Sequence, residues 1–480
     1  MNSLTIFEFD KVVEAKAGAV GLAVPRRVFA WLDMQSLRND DDAPGWLKPT
    51  HLSGQRAIQV TSYVGVIRAP CGFQIEVLPK TGRNTSPEEA RALLIEMLKC
   101  LAGFRHIKTA NADLVAERMP LLEVFIQQFL LAVGSLVKRG LRSDYVARQD
   151  NLFALRGRLL VARQISQNLV RRDRFFTEHD QFSQDRAENR LIHTALRHVL
   201  TLCRSQESQR VARELSFVFS DVPPSVDVTQ DIQRIRLDRG MGYYESALDW
   251  AKLILQGLSP ISGMGSHHAS SLLFPMEAVF EAYVEKHLAR QLHADFVLKA
   301  QASSQHLVAH DDQRWFRLKP DLLVKQKQTT RLVLDTKWKL LDAAKKNGRE
   351  KYQLSQADFY QLYAYGHHYL EGTGDIVLIY PKTDTFTEPL PVFDFPKATG
   401  MRLWVLPFCL RERRLKVPST LEWAIQDQLP NLSCPGKEPS HLQPMTPKSQ
   451  CFDPENASPA RCASAAWVPP ATPPGSPART

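Results

Sequence analysis

The spacing of apolar positions changes character along the chain. Up to about residue 84, short runs rich in β-branched residues predominate. Leu4–Phe9 reads as a strand and Arg27–Leu37 as a single helix. Ala57–Arg68 and Phe73–Leu78 read as two strands of a hairpin, joined by the turn residues Ala69-Pro70-Cys71-Gly72. From 85 to 262 the period lengthens to that of helices. Ser86-Pro87-Glu88-Glu89 places an N-cap, a first-turn proline and a capping-box glutamate in order, and Ala90, Leu93, Leu94, Met97, Leu98 and Leu101 then share a face. Pro120 opens another helix, which Gly140 closes. A third spans Asp185–Arg204 with Leu191, Ala195, Leu196 and Val199 inward, and the helical spacing persists to about Leu258. Ser259-Pro260-Ile261-Ser262-Gly263 reads as a boundary loop.

Beyond that loop the pattern is mixed. A helix over Glu277–Leu292 precedes strands at Phe296–Ala300, Trp315–Val324 and Arg331–Lys339, a helix at Ser355–Leu370 and a buried-type strand at Asp375–Tyr380. The order α-β-β-β-α-β predicts a compact α/β unit with a mixed sheet. Twelve of the last 51 residues are proline and no apolar period survives there, so Pro430–Thr480 reads as disordered. The expected architecture is α+β and multidomain: a β-rich N-terminal domain at 1–84, a helical middle region at 85–262, an α/β core with a mixed sheet at 263–416, and a proline-rich tail at 417–480.

Composition narrows the class. With 480 residues and 44% hydrophobic content the chain can bury a large core. The formal net charge of +10 suits a polyanionic partner. Seven scattered cysteines contain no CxxC pair, which suggests reduced thiols rather than a zinc ribbon or disulfide framework. The N-terminus MNSLTIFEFD has no signal-peptide pattern. Leu121–Val133 is interrupted by Glu123, Gln127 and Gln128, and reads as too short and polar to cross a bilayer. The expectation is a soluble, cytoplasmic protein without a membrane partner.

Candidate chemistry concentrates in Pro320-Asp321 and Asp335-Thr336-Lys337. Two strands joined by a polar turn bring Asp321 beside the second strand, where alternation puts Asp335 and Lys337 on one face. Two carboxylates can hold Mg²⁺, and the lysine can orient or help deprotonate water and stabilise charge developing on a phosphate. That is the PD-(D/E)xK arrangement of phosphodiester-cleaving enzymes; the plain alternative is a surface hairpin whose charges face water. Glu277 and Glu281, four apart on a helix, could add a carboxylate. Gln361 and Tyr365, one turn apart on another, could contact phosphate or brace the carboxylates. His193 and His198 have the wrong spacing for a metal site, and His267-His268 and His367-His368 are adjacent pairs that diverge. Between Lys138 and Arg174 lie ten basic and three acidic residues; Arg156, Arg158, Arg163, Arg171, Arg172 and Arg174 could meet phosphates, an acidic protein or only water. No G-x-x-x-x-G-K-[ST] occurs, so any nucleotide requirement falls to another subunit.

These residues resemble the McrC family, the nuclease subunit of the McrBC modification-dependent restriction system. The resemblance covers most of the chain to about Leu415. It is carried by Gln59–Arg68 with Ile75–Lys80, by Leu155-Arg156-Gly157-Arg158-Leu159, by Asp185–Leu191, and by Phe280-Glu281, Pro320-Asp321, Asp335-Thr336-Lys337 and the Gln361/Tyr365 pair. It implies a C-terminal PD-(D/E)xK endonuclease with Asp321 and Asp335 as Mg²⁺ ligands, Lys337 as catalytic lysine and Glu281 as auxiliary carboxylate. It also implies an McrB-like hexameric AAA+ GTPase partner, stimulated by the N-terminal region, that supplies GTP binding and recognition of methylated DNA. A non-catalytic adaptor of an AAA+ partner and a stand-alone nuclease of repair or defence are the competing readings.

Overall fold

A computed structural model describes residues 3–16, 21–37, 45–82, 85–101, 119–256, 272–396 and 400–426. All lie within one compact unit, Met1–Leu429. The expected boundary loop at 259–263, His267-His268 and the segment from Pro430 onward fall outside the described residues. Among those described there are ten α-helices and five sheets, a mixed α/β architecture.

The N-terminal part is β-rich, as its alternating runs predict, but Ala57–Arg68 is not one strand. It breaks at Thr61-Ser62 into Gln55–Val60 and Tyr63–Arg68, which belong to different sheets. Gln55–Val60 pairs with Lys11–Glu14 and Leu47–Leu52 beneath the helix Arg26–Ser36. Tyr63–Arg68 forms the expected hairpin with Gln74–Leu78, whose other edge takes Ser3–Phe7 in parallel. The free edge of Tyr63–Arg68 is covered by a strand from far along the chain, Leu272–Pro275. Gly65 permits this: its φ is +130°, and a Cβ there would lie 2.0 Å from the Leu272 carbonyl oxygen.

Ser86 caps the helix Pro87–Leu98 as its sequence demands, accepting the Glu89 N–H. Leu121–Val137 and Ala187–Leu202 supply much of the largest core cluster. By length and composition Leu121–Arg139 is apolar enough to cross a membrane, contrary to the sequence expectation. Here 61% of its apolar window is buried within the fold, so that surface is spent on the core. The middle region is not wholly helical either. Asp144–Leu152, Arg158–Leu159 and Phe175–Ser183 form an antiparallel sheet that turn-poor, arginine-rich sequence did not announce. Asn189 ties it to the helices: its amide donates to the Arg142 and Gln184 carbonyls and its oxygen accepts the Tyr244 hydroxyl.

The third part carries a curled seven-stranded mixed sheet. Phe296–Ala300, Leu322–Gln326 and Thr329–Thr336 run antiparallel in turn, and Thr329–Thr336, Gly374–Pro381 and Met401–Cys409 run parallel. The continuous apolar run of Gly374–Pro381 follows from its central place, buried on both faces. Trp315–Val324, expected as one strand, divides at Lys319–Asp321. Its first half pairs with Gln305–His310 as a separate two-stranded hairpin, Gln313–Leu318. The tail expected from 417 starts later, because Val417, Leu421, Ala424 and Ile425 are buried in the main core.

Candidate active site

The cluster forms where the sheet's ladder gives out. Asp321 immediately precedes Leu322–Gln326, and Thr329–Thr336 ends one residue before Lys337. Leu322 pairs with Leu334, which brings Asp321 to the end of its neighbour strand. There Asp321 Oδ2 accepts hydrogen bonds from the Thr336 amide and hydroxyl, both 2.7 Å. Asp335 is 1% exposed; its Oδ1 has no hydrogen-bond partner among the described residues, and its Oδ2 takes only the Lys337 ammonium, 2.5 Å from Nζ. Alternation along the strand thus puts the two groups on one face, as the sequence requires.

The electrostatics are those of crowded carboxylates. Burial, then the charge of Asp321, raise the Asp335 carboxyl to about 7 despite Lys337. Burial and then Asp321 also raise Glu281 to about 7, with Asp335 adding to the effect. Burial disfavours the Lys337 ammonium, but Asp335 outweighs it and holds the lysine above its ordinary value. The lysine stays charged while the acids resist ionising, because full ionisation would set three carboxylates against one ammonium.

Three supporting groups escaped the sequence reading. Gln301, at φ +46°, bridges two carboxylate residues: its amide donates to Glu281 Oε1 (3.2 Å) and its N–H to the Asp321 carbonyl (2.7 Å). Alternation puts Thr336 on the face opposite Asp335 and Lys337, yet its backbone and hydroxyl hold Asp321. Asp358 adds negative charge facing Asp335 and Lys337 and accepts the Tyr380 hydroxyl. Gln301 and Asp358 sit in unremarkable local sequence, and only the tertiary fold gives them a role. On the helix Gln356–Leu370, Lys337 Nζ reaches Gln361 Oε1 at 3.4 Å, Gln361 Nε2 donates to the Tyr365 hydroxyl at 2.7 Å, and that hydroxyl donates to the Lys319 carbonyl at 3.0 Å. Glu277 does not join the cluster; it accepts the Ser62 hydroxyl at 2.5 Å.

Among the described residues, no three His, Cys, Asp or Glu side chains converge as a complete metal cage. A buried carboxylate with one unpaired oxygen still fits a divalent cation, since Mg²⁺ takes one or two carboxylates and fills its other positions with water. The remaining candidates lie elsewhere. Arg156, Arg158, Arg171 and Arg172 are exposed on or beside the small three-stranded sheet, Arg158 paired with Glu178 at 3.4 Å. Arg163 stands over the Phe176 ring and Arg174 over Phe153. His193 bonds the Val222 carbonyl and stacks on Phe219, a packing role.

The fold and site define a mixed α/β protein with a carboxylate–lysine centre at the end of a buried hairpin. The chain belongs to the family of McrBC 5-methylcytosine restriction system components, whose model matches residues 58–381. A search of curated proteins returned no match. A chain in the refined half-complex from a tetradecameric assembly of Thermococcus gammatolerans McrB AAA+ hexamers with bound McrC is similar in fold. The TM-score is 0.59 and the identity 20%, over 85% of this chain and 94% of that one. A chain in the cryo-EM structure of the Thermococcus gammatolerans McrBC complex aligns at TM-score 0.43 and 21% identity, over 60% and 88%.

Proposed function

We propose that this chain is the McrC-type subunit of its system, a Mg²⁺-dependent endonuclease that cuts DNA phosphodiesters. It works in complex with an McrB-like AAA+ GTPase hexamer whose activity it stimulates. The observation that carries this reading is Asp335: a buried carboxylate with one oxygen unpaired and the other held only by a charged lysine, facing two further carboxylates. A structural ion pair would leave one carboxylate satisfied; three crowded ones ask for a cation.

Asp321 and Asp335 would hold the ion, with Glu281 behind them. When bound, the ion would neutralise the carboxylates, draw in a phosphate oxygen and make water a better nucleophile. Lys337, kept as an ammonium, stabilises negative charge building on the phosphate rather than taking a proton from water. Gln361 orients the lysine, and Tyr365 fixes Gln361 against the Lys319 carbonyl. Thr336 locks Asp321 in place through two bonds, so the geometry exists before substrate arrives. Partner and methylated-DNA recognition come from the family membership and from the named complex of the similar structure.

The test is cleavage of methylated DNA by this chain with its GTPase partner, GTP and Mg²⁺. Wild-type cutting that disappears in Asp335→Ala, with GTPase stimulation retained, supports the reading. Equal cutting by Asp335→Ala would falsify it. Cutting without partner or GTP would favour a stand-alone nuclease, and stimulation without any cutting an adaptor.

A further inference from the structure

Lys337 lies one residue beyond its strand, so the ladder alone does not fix it. Its N–H donates to the Ile379 carbonyl at 2.9 Å. The next residue supplies the other anchor. Trp338 Nε1–H donates to Glu8, 2.8 Å from Oε1 and 3.0 Å from Oε2, across 330 positions of sequence. Glu8 is fully buried just after the first strand, Ser3–Phe7. It is itself held: its N–H donates to the Leu78 carbonyl, and Oε1 accepts the Lys80 N–H at 2.8 Å. The Trp338 ring packs 5.3 Å from that of Phe280, the neighbour of Glu281 in sequence.

The same N-terminal sheet also holds the foot of the helix that bears Glu281. Leu272–Pro275 pairs with Tyr63–Arg68, and Met276 N–H donates to the Ser62 carbonyl as that helix begins. A carboxyl group is a costly filler for an apolar interior, where a leucine would pack better. What it gives is a fixed ring orientation, because one N–H shared between two oxygens of an immobile carboxyl group defines both distance and plane.

We propose that Glu8 is a positioning residue of the cutting site: through the Trp338 indole it fixes where the Lys337 ammonium stands. The N-terminal sheet is thereby coupled to phosphodiester hydrolysis. The inference rests on the nuclease reading above, and its test separates the two.

Glu8→Leu, Glu8→Gln and Trp338→Phe are compared with wild type in the full complex with GTP, Mg²⁺ and DNA. For Glu8→Leu and Trp338→Phe, kcat for cleavage falls about 10–100-fold, while the KM for DNA and the GTPase stimulation stay within about twofold. Glu8→Gln keeps an acceptor for the indole and retains cleavage within about threefold. The double variant Glu8→Leu/Trp338→Phe is no worse than the poorer single one, since both break the same hydrogen bond. A second readout does not need activity: labelling of Lys337 by an amine-reactive reagent, followed by mass spectrometry, rises in Glu8→Leu and not in Glu8→Gln. If Glu8→Leu fails to fold, Trp338→Phe against Glu8→Gln makes the same comparison. Wild-type kcat in a folded Glu8→Leu or Trp338→Phe overturns the proposal, as does unchanged Lys337 labelling in both. A wild-type complex that cuts nothing refutes the nuclease reading, and the labelling still decides the role of Glu8.

Discussion

The fold treats two groups of charged residues in opposite ways. On the seven-stranded sheet, Asp335 is sealed from water with one oxygen unpaired and the other held only by Lys337, and Lys337, Gln361 and Tyr365 form a chain behind it. On the three-stranded sheet, Arg156, Arg158, Arg171 and Arg172 stand in solvent; beside it Asn168 is satisfied by Asn151, Gln164 and the Arg174 carbonyl, while Thr177 Oγ1 and His179 Nδ1 are buried without a hydrogen-bond partner among the described residues. The first region stores electrostatic disadvantage in a rigid place. The second leaves one hydroxyl and one ring nitrogen unpaired but crowds no like charges together. Like charges crowded at a cost to stability need a ligand to justify them, whereas solvated arginines fit any anion or none. The contrast therefore ranks the two regions as chemistry and as surface.

The comparison breaks most directly at the ion pair. Asp335→Ala and Lys337→Ala should each lower cleavage by the complex by about 10²–10³-fold or more. GTPase stimulation and partner binding, measured on the same preparations, should not change. Removing all four arginines should leave kcat within a few-fold; if it abolishes kcat at saturating DNA, the ranking is wrong.

Acidity sharpens it next. Asp335 and Glu281 have folded pKa values raised to about 7 from 3.8 and 4.5. The metal-free folded chain therefore binds protons that the unfolded chain releases between about pH 4 and 7. Its stability contribution from these groups is greatest at the acid end, falls as pH rises through 7, and is fully lost above. A cation competes with those protons, so Mg²⁺ affinity should weaken about tenfold or more per pH unit below 7 and level off above it. Isothermal titration from pH 5.5 to 8.5 measures this. A flat profile in wild type, or an unchanged slope in Asp335→Asn, would show that the buried carboxylate does not hold the ion.

Why one region was legible and the other was not follows from the range of the interactions. Asp321, Asp335 and Lys337 lie on one hairpin, and Glu281, Gln361 and Tyr365 each sit on a single helix, so strand and helix periods suffice to aim them. Gln301 joins a helix to a strand end, Glu8 joins two sheets, and nothing near them in sequence points to a partner. The main divisions of fold were readable for the same reason. The errors came where one apolar run served two sheets, at Thr61-Ser62 and Lys319–Asp321, and where the middle sheet hid among helices. There the turn is made by tertiary pairing, as at Gly65 and Gly157, whose Cβ would meet the Glu178 carbonyl oxygen at 2.3 Å. Gly157 sits inside the Leu155–Leu159 motif, so that motif's glycine answers to packing.

Charge removal on the small sheet should act on binding alone. Arg156→Ala/Arg158→Ala/Arg171→Ala/Arg172→Ala should weaken DNA binding by the complex if these residues meet phosphates, lowering the slope of log affinity against log salt by about 0.9 for each phosphate no longer neutralised. An unchanged salt slope with weaker partner binding would assign them to an acidic protein surface instead.

The smallest effect is the one that isolates the structural share of that surface. Arg158 and Glu178 form an ion pair at 3.4 Å with the arginine side chain 74% exposed. Water solvates either charge when the other is removed, and screening already weakens the attraction. Arg158→Ala should therefore change the unfolding free energy by less than about 0.5 kcal/mol, read from denaturant midpoints at constant m. A destabilisation several times larger would mean that the guanidinium braces the strand Phe175–Ser183 against Arg158–Leu159. The arginines would then be scaffold, as Asn168 and Asn189 are, and a weaker grip on DNA in the fourfold variant could no longer be read as phosphates left without their arginines.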